Sequence, residues 1–544
     1  MNERIPADIA ETTFDAIIIG AGINGASVAR DAAMRGLKVL LLDKGDLASG
    51  TTSWSTRLIH GGLRYLEHGE LGLVRESLRE RERLFRLAPH LVRPLPLLIP
   101  IYERARRGLL TIRAGMLAYD LLSFDKSLEH HQMLSRDEAL RRAPGLNPVG
   151  LRGAALYYDA QVEYAERLVV ENALSAREHG ALVFTYARVE RLIQEGNTVR
   201  GVEFADVLEG GAYTAHGTIV VNVAGPWVDL MLGQLGVESS RLIGGTKGSH
   251  LVVEPFAGAP ADALYVEASA DGRPFFIIPW NNLYLVGTTD RRFDAELDHV
   301  EADESEIDYL LSETNRVIPS AQLTRSAIAY TYSGVRPLAY SASGAEKSIT
   351  RRHFVHDHAP QLEGFLSIVG GKLTTYRHLA EQTVDLLFRK LNRKSPLCPT
   401  TGAPLPGAVG DDAAEDFRKF SERFTSESTL PHAVNERLLR IYGTRASVIL
   451  ELIAAQPALA EIFCPETGAV GAEVLMSFQN EMALTLQDCL LRRTMVGMNA
   501  TAGLGADEAA ASVARKHLHW TEERAAREVA AYREYIRRFH PRAL

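Results

Sequence analysis

The sequence predicts an α/β protein with an additional α-helical region: one α/β domain, an antiparallel sheet inserted into it, and a helical domain towards the C-terminus. Three observations lead to this fold class. A β-branched run, a glycine-rich turn and a helical segment follow one another near the N-terminus. β-Rich segments lie in the middle of the chain. Residues 411–544 are mostly Ala, Glu, Arg and Leu with helical periodicity.

The N-terminal segments predict a compact βαβ unit. Residues 14–19 are short, apolar and β-branched, which is typical of a buried parallel strand. Residues 26–35 have helical composition, and Gly36 is placed to end that helix. Residues 38–43 form a second predicted strand. Two strands joined by a helix in this way are expected to pair in parallel.

Later segments are expected to return to the same sheet. Residues 218–223 and 365–369 are apolar strand candidates, and the second runs through Gly370-Gly371 towards a predicted helix at 374–391. Residues 248–253 and 274–287 are also β-rich, and they predict an antiparallel sheet inserted into the first domain.

These segments and the loop composition give a predicted domain division. Residues 395–410 are rich in Pro, Gly and Thr, as in a linker. The division assigns 13–90, 155–245 and 330–394 to the first domain, 91–154 and 246–329 to the inserted substrate or cap domain, 395–410 to the linker, and 411–544 to the C-terminal helical domain.

Bulk composition narrows the functional classes. The 544 residues carry a formal net charge of −8, so there is no basic signal for nucleic acid. Three cysteines without metal-type spacing argue against a disulfide framework or a structural metal and fit a reducing compartment. The N-terminal residues are polar and lack the apolar core of a signal peptide, and no apolar run reaches the ~18 residues of a spanning helix.

A glycine motif follows the first predicted strand. Gly20, Gly22 and Gly25 form GxGxxG between a strand and a helix, the context in which the motif predicts a Rossmann-like dinucleotide site. Asp43 ends the second strand, where a carboxylate accepts hydrogen bonds from a ribose hydroxyl. The motif alone leaves NAD and FAD open. The small polar loop at 45–53, which replaces a further regular βα unit, favours an extended ligand of the FAD type.

A second polar segment follows that loop. Arg57, His60, Arg64 and Tyr65 surround the pair Gly61-Gly62. Glycines allow close approach of the backbone, and arginines bind anions through a planar fork of donors. The segment therefore predicts an anion site, and the alternative is a glycine turn that leads into an amphipathic helix.

The chain strongly resembles the FAD-dependent glycerol-3-phosphate dehydrogenases of the aerobic, membrane-associated type. The resemblance is carried, in order, by IIIGAGINGASVARDAAMRGLKVLLLDKGDLASGTTS, TRLIHGGLRYLEHGE, VNVAGPWVD, KGSHLVV, IIPW, VGTTD, YTYSGVRPL, SITR and GGKLTTYRHLAE. It covers residues 14–391 well and is weaker beyond 395. Departures are few: the family often has lysine at Arg57, and 241–247 carries a short glycine insertion.

The resemblance implies a fold and an activity. The fold is an FAD-binding domain of the glutathione-reductase or D-amino-acid-oxidase type. The activity is oxidation of sn-glycerol 3-phosphate to glycerone phosphate (dihydroxyacetone phosphate), with hydride transfer from C2 to FAD N5 and electrons passed to a quinone. Three alternatives remain open: a glycerol-3-phosphate oxidase that uses oxygen, a related FAD-dependent amine or 2-hydroxy-acid oxidoreductase, and a flavin-binding protein without turnover.

The resemblance also assigns the substrate end of the site. His250 is the first candidate for the proton acceptor, with His60 as its rival, and Arg336 is expected to stabilise alkoxide charge. The matched positions add Lys372 as a catalytic residue and Arg64, Tyr65 and Arg351 as substrate ligands, with Arg352 as the alternative to Arg351. The expected FAD contacts are Gly20, Gly22, Ile23, Asn24, Gly25, Asp43, Thr51, Thr52, Ser55, Thr56, Arg57, Leu58, Ala224, Gly225, Gly371, Leu373 and Thr374, and no metal ligand is expected.

A quinone acceptor implies contact with a membrane. Apolar and cationic residues alternate over 91–100 and 104–117, a pattern suited to an anionic bilayer surface. The alternative is a cap-domain helix packed on the substrate sheet. The expected location is cytoplasmic, at the inner face of the cytoplasmic membrane. The sequence leaves the oligomeric state open, with a homodimer as one option.

Overall fold

The N-terminal βαβ unit opens a mixed sheet that carries the glycine motif. The structure, a computed structural model, describes residues 4–103, 105–341, 352–408 and 416–544. In chain order the strands are β1 (Thr13–Ile19), β2 (Val39–Leu42), β3 (Leu58–Ile59), β4 (Val92–Tyr102), β5 (Gln132–Ser135), β6 (Leu151–Val162), β7 (Leu182–Phe184), β8 (Ala187–Glu195), β9 (Thr198–Asp206), β10 (Ala212–Asn222), β11 (Thr246–Val253), β12 (Ala263–Glu267), β13 (Pro274–Trp280), β14 (Leu283–Gly287), β15 (Arg291–Arg292), β16 (Ile328–Arg336), β17 (Phe354–Asp357), β18 (Phe365–Val369), β19 (Ile462–Cys464) and β20 (Ala469–Val470).

The helices pack around two large sheets and form most of the C-terminal region. They are α1 (Ile23–Met34), α2 (Leu71–Leu87), α3 (Leu109–Leu122), α4 (Arg136–Arg142), α5 (Ala165–Glu178), α6 (Val228–Gln234), α7 (Glu304–Val317), α8 (Tyr376–Lys390), α9 (Phe417–Glu427), α10 (His432–Tyr442), α11 (Ala446–Ala455), α12 (Gly471–Gln479), α13 (Leu486–Asp488), α14 (Ala506–His517) and α15 (Glu522–Ile536).

The first sheet has the order β17-β18-β10-β1-β2-β7, with the β8–β9 hairpin attached to β10. The four pairings that join β18, β10, β1, β2 and β7 are parallel, whereas β17 pairs with β18 in antiparallel orientation. The predicted strands at 14–19, 38–43, 218–223 and 365–369 are therefore confirmed as members of one sheet. Because parallel strands end at the same edge, the turns after β1, β2, β10 and β18 meet there.

The second sheet has the order β15-β11-β14-β13-β12-β4-β6-β3, and β16 and β5 extend it through β11 and β6. All of its pairings are antiparallel except that of β12 with β4. This is the predicted inserted sheet. The sheet also includes β6 and β16. The predicted domain boundaries at residues 155 and 330 therefore fall inside strands of this sheet.

Buried ion pairs join the C-terminal helices to the N-terminal sheet. Arg493 binds Asp46 with both terminal nitrogens at 2.8 Å, and Arg167 on α5 forms a bidentate pair with Glu481. All four side chains are completely buried. A buried ion pair is stable only when its charged groups are fully hydrogen-bonded. These pairs therefore fix the orientation of the C-terminal helices relative to the first sheet.

Candidate functional site

The glycine turn after β1 has the geometry that a dinucleotide requires. Gly20 has φ +108°, and a Cβ on Gly25 would lie 1.8 Å from Gly20 O, so helix and turn are in direct contact. Gly22 is the N-cap of α1, and a Cβ there would meet nothing closer than Thr52 Oγ1 at 3.5 Å. The turn is thus closed towards the protein at Gly20 and Gly25 and open at Gly22.

Asp43 lies at the end of β2 and closes the same turn. Its carboxylate accepts hydrogen bonds from the N–H of Ala21 at 2.5 Å and of Gly45 at 2.8 Å. Burial raises its pKa to about 6, against the lowering effect of these two amides. The position and the free lone pairs suit the ribose contact expected from the sequence.

A cavity of about 710 Å³ runs along the edge where the strands end. Its lining includes Gly20, Gly22 and Asp43 as well as Gly371, Lys372 and Leu373. Of the residues expected to contact FAD, the lining includes Gly20, Gly22, Ile23, Asn24, Asp43, Thr51, Thr52, Ser55, Ala224, Gly225, Gly371 and Leu373. A cavity that is lined by a helix N-terminus suits a ligand that contains a pyrophosphate.

The polar loop after β2 folds back onto the glycine turn. Thr52 Oγ1 accepts a hydrogen bond from Ile23 N at 3.2 Å, and Thr51 Oγ1 donates to Val335 O at 2.7 Å. Thr56 is directed to the second sheet, where its Oγ1 lies 3.0 Å from His250 Nε2. The loop therefore joins the two sheets along the cavity.

The structure does not place the side chains of Arg57 and Leu58 at the cavity. Arg57 is fully buried and forms a bidentate ion pair with Glu166, with both N–O distances 2.8 Å, and it donates to Ser53 O at 3.0 Å. Leu58 is in the apolar core as part of β3. A cation this deep needs a buried carboxylate, and the one available lies on α5.

The turns after β10 and β18 line the cavity with glycine backbone rather than with large side chains. Gly225 (φ +59°) and Gly371 (φ +105°) both have conformations that favour glycine. A Cβ on Gly371 would lie 2.7 Å from Asn24 Nδ2, so Asn24 fixes this approach. Thr374 is buried, and its Oγ1 accepts a hydrogen bond from His60 N at 3.1 Å. Thr374 thus holds the predicted anion loop next to the β18 turn.

Of the predicted substrate-end residues that the structure describes, Lys372 lines the cavity, whereas His60, Arg64, Tyr65, His250 and Arg336 are not among its lining residues. Lys372 Nζ donates to Ser77 Oγ at 2.7 Å and lies 4.5 Å from the centroid of the Tyr65 ring. Burial lowers the pKa of Lys372. The half-buried Arg64 forms no ion pair with any residue that the structure describes. Burial, together with the charges of Lys372 and Arg64, lowers the pKa of His60 to about 3.

His250 lies on β11, next to Thr56 and Tyr332. It is 1% exposed, and its ring packs against Tyr332 at 4.8 Å between centroids. Its Nε2 contacts Thr56 Oγ1, whereas its Nδ1 is buried without a partner among the described residues. Burial lowers its pKa well below the ordinary value, with further effects from Arg336 and Arg57, so the imidazole is neutral.

Arg336 ends β16 and is held in a fixed orientation. Its guanidinium donates to Asp290 Oδ1 and Thr288 Oγ1, both at 3.1 Å. Arg351 lies outside the described residues. Arg352 is exposed, and its guanidinium approaches Gly72 at the start of α2, on the side of the molecule that carries Lys372.

Sequence reasoning missed the contribution of the C-terminal region to the cavity. Tyr535, Arg538 and Phe539 line it, and the Phe539 ring packs on Trp54 with centroids 5.0 Å apart. Arg538 donates to Asp298 O at 3.0 Å and so closes the rim. These residues lie in an ordinary helix end without a motif, and only the tertiary fold reveals their position.

The two segments predicted to contact a membrane, 91–100 and 104–117, lie in different environments. Residues 92–102 form β4, in the interior of the second sheet, where Leu97, Leu98 and Ile101 are buried. The apolar residues of this segment are therefore explained by a strand that lies between β12 and β6. Helix α3 is different, because its outer face exposes Leu110, Leu117 and Leu121. In the described part of the chain, no helix is both long and apolar enough to cross a bilayer.

Comparisons with known proteins agree with this geometry. Residues 15–377 match the family described as FAD dependent oxidoreductase, and residues 398–525 match the C-terminal domain of alpha-glycerophosphate oxidase. A glycerol-3-phosphate dehydrogenase of Synechocystis sp. is 47% identical, with 97% of each chain covered. An aerobic glycerol-3-phosphate dehydrogenase of Staphylococcus haemolyticus is 34% identical, over 90% of this chain and 88% of that protein. The structure of the glycerol-3-phosphate dehydrogenase from Bacillus halodurans complexed with FAD matches with a TM-score of 0.78 and 27% identity, covering 98% of this chain and 96% of that one.

Proposed function

Because the chain belongs to the family of FAD-dependent glycerol-3-phosphate dehydrogenases, we propose that it oxidises sn-glycerol 3-phosphate to glycerone phosphate and passes the electrons to a membrane quinone. The observation that supports the proposal is the cationic group beside the turn after β18: Lys372 lines the cavity with its Nζ 4.5 Å from the centroid of the Tyr65 ring, and Arg64 precedes Tyr65 in the same loop. A phosphate dianion offsets this positive charge, and its binding energy can orient the carbon that reacts.

The residues of the cavity fit FAD. The open backbone at Gly22 and the N-terminus of α1 suit the pyrophosphate, and Asp43 suits the adenosine ribose. Gly225 and Gly371 allow the backbone to approach a flat ring system. When bound, FAD supplies the acceptor for the hydride from substrate C2.

The side chains around the substrate have separable roles. Lys372, Arg64 and Tyr65 bind and orient the phosphate, with Arg351 as a further proposed ligand. Arg336 stabilises negative charge on the substrate oxygen, and its fixed bonds to Asp290 and Thr288 mean that no reorganisation is needed during the reaction.

His250 is the proposed proton acceptor, and its surroundings define how it acts. It accepts at Nε2 in the tautomer with the proton on Nδ1, and Thr56 Oγ1 is its neighbour there. His60 is the rival acceptor, and its low pKa rises when a phosphate dianion neutralises the nearby cations.

Anaerobic titration of the purified protein with glycerol 3-phosphate tests the proposal. The flavin absorbance is expected to bleach to completion with one equivalent of substrate per flavin. Failure to bleach, with FAD bound, would reject the activity and favour a flavin protein without turnover or an oxidoreductase of amines or 2-hydroxy acids. Re-oxidation by a soluble quinone is expected to outpace re-oxidation by air. Hydrogen peroxide formed at the rate of substrate loss would instead identify an oxidase.

The outer face of α3 is the proposed contact with the cytoplasmic membrane surface. Leu110, Leu117 and Leu121 form an exposed apolar stripe there, with Arg106 and Arg113 beside it. The triple change of these leucines to serine is expected to abolish co-flotation with vesicles that contain anionic lipid. The control is Leu397→Ser, since Leu397 is 95% exposed but lies after α8. Equal flotation of both variants would reject this surface.

A further inference from the structure

The turn Gly61-Gly62 leads into the loop that carries Arg64 and Tyr65, and helices α2 and α3 pack against it. A Cβ on Gly61 would lie 2.4 Å from Tyr119 Oη and 2.7 Å from Leu78 Cδ2, so α3 and α2 both contact this backbone. Gly62 has φ +80° and leads directly to Arg64 and Tyr65. The position of those two side chains therefore depends on what holds the turn.

A buried hydrogen-bond network holds it. Gly61 N–H donates to Tyr119 Oη at 2.9 Å, and the Tyr119 hydroxyl donates to Asp159 Oδ2 at 2.7 Å. Asp159 Oδ1 accepts from Arg81 at 2.6 Å and lies 3.4 Å from Gly61 N. Tyr119, Asp159 and Arg81 lie on α3, β6 and α2 and are each at most 2% exposed. Three separate elements thus converge on one backbone N–H.

We propose that Tyr119 is a positioning residue for the substrate: its hydroxyl holds the Gly61-Gly62 turn and so sets Arg64 and Tyr65 against Lys372. This inference rests on the proposed function. Only the neutral hydroxyl can accept from Gly61 and donate to Asp159 at once. Burial and the adjacent carboxylate raise the pKa of Tyr119 well above its usual value, which keeps that form at all working pH values.

Loss of the hydroxyl has a specific expected effect. In Tyr119→Phe the Gly61 N–H retains only the long contact to Asp159, and the turn gains freedom. Phosphate contacts act in both the ground state and the transition state, so their loss raises KM more than it lowers kcat. The KM for glycerol 3-phosphate is expected to rise about tenfold, with kcat within about threefold of the unchanged protein.

The matched control is Tyr157→Phe. The Tyr157 ring packs edge-on against Tyr119 at 5.8 Å and is as deeply buried, but its hydroxyl forms no hydrogen bond with the described residues. Its KM is expected to stay within twofold of wild type. Asp159→Asn is the second variant. It weakens the hydrogen bond that Asp159 accepts from the Tyr119 hydroxyl, and it is therefore also expected to raise KM.

Each protein is measured as the FAD-loaded enzyme by steady-state kinetics, with amide hydrogen exchange of the peptide that spans 58–66 as the second readout. Higher KM and faster exchange in Tyr119→Phe, with higher KM in Asp159→Asn and an unchanged KM in Tyr157→Phe, support the proposal. A KM equal to that of Tyr157→Phe overturns it, as does a fall in kcat without a change in KM. Absence of flavin reduction by glycerol 3-phosphate in the wild type is a separate result, which rejects the proposed function itself.

Discussion

Replacing Glu166 by glutamine is expected to destabilise the protein through Arg57. Both terminal nitrogens of Arg57 bind Glu166 at 2.8 Å, and neither side chain has any exposed surface. In the variant a full positive charge remains buried with only amide and carbonyl oxygens around it. Removal of one partner of a buried pair costs ~3–5 kcal/mol, and glutamine keeps one acceptor, which places this change near ~3 kcal/mol.

That cost converts into a shift of the melting temperature. Unfolding entropy is about 2.1 cal/mol/K per residue, so the roughly 360 residues of the first family match give about 0.8 kcal/mol/K. A loss of ~3 kcal/mol then lowers Tm by about 4 °C. The measurement is thermal unfolding of the FAD-loaded protein, followed by differential scanning calorimetry.

The control for this measurement is an exposed ion pair of similar length. Glu190 pairs with Arg188 at 3.0 Å, and both side chains are about half exposed. An exposed pair is worth roughly 0–1 kcal/mol, so Glu190→Gln is expected to lower Tm by at most about 1 °C. A Tm for Glu166→Gln as high as that of Glu190→Gln would refute the reasoning, because it would mean that the buried charge needs no carboxylate.

Three further predictions concern the cofactor and the chemistry. Gly25→Ala is expected to yield protein without bound flavin absorbance, because its Cβ would lie 1.8 Å from Gly20 O; a yellow variant with wild-type FAD content would contradict the packing argument. The affinity of the apoprotein for FAD is expected to fall as the pH drops below 6, by at most tenfold per pH unit. The reason is that Asp43 has a raised pKa of about 6, so that below this pH its carboxylate is protonated and accepts the hydrogen bond from the ribose hydroxyl less well. Equilibrium titration with FAD checks this, and Asp43→Asn is expected to show a flat profile over the same range. Arg336→Ala is expected to slow flavin reduction ~10²–10³-fold in anaerobic stopped flow while FAD stays bound, and unchanged reduction kinetics would remove Arg336 from the mechanism.

The parts of this molecule that sequence predicts well are those encoded by adjacent residues. The turn from Gly20 to Gly25 needs a strand before it and a helix after it, and all three signals lie within one short stretch. Asp43 is predictable for the same reason, since it ends the strand that follows. Resemblance extends this to Lys372, which the fold brings to the same cavity.

Other features depend on partners that the local sequence does not reveal. Arg57 has the sequence context of an anion ligand, yet its partner is Glu166 on a helix more than a hundred residues later. Residues 92–102 have the composition of a membrane-facing segment, yet β4 lies between β12 and β6 and its apolar side chains are internal. Tertiary contacts override local patterns in both cases.

The contribution of Tyr535 and Phe539 to the cavity has a consequence for the stage of synthesis at which the protein can bind flavin. A polypeptide is made from its N-terminal end, so the turn at Gly20 leaves the ribosome far ahead of the segment around Phe539. Until that late segment docks, Trp54 lacks its contact with the Phe539 ring, and the cavity lacks the part of its lining that Tyr535, Arg538 and Phe539 provide. Lasting capture of the flavin is therefore a late event in biogenesis, and nascent chains that end before residue 535 are expected to remain colourless.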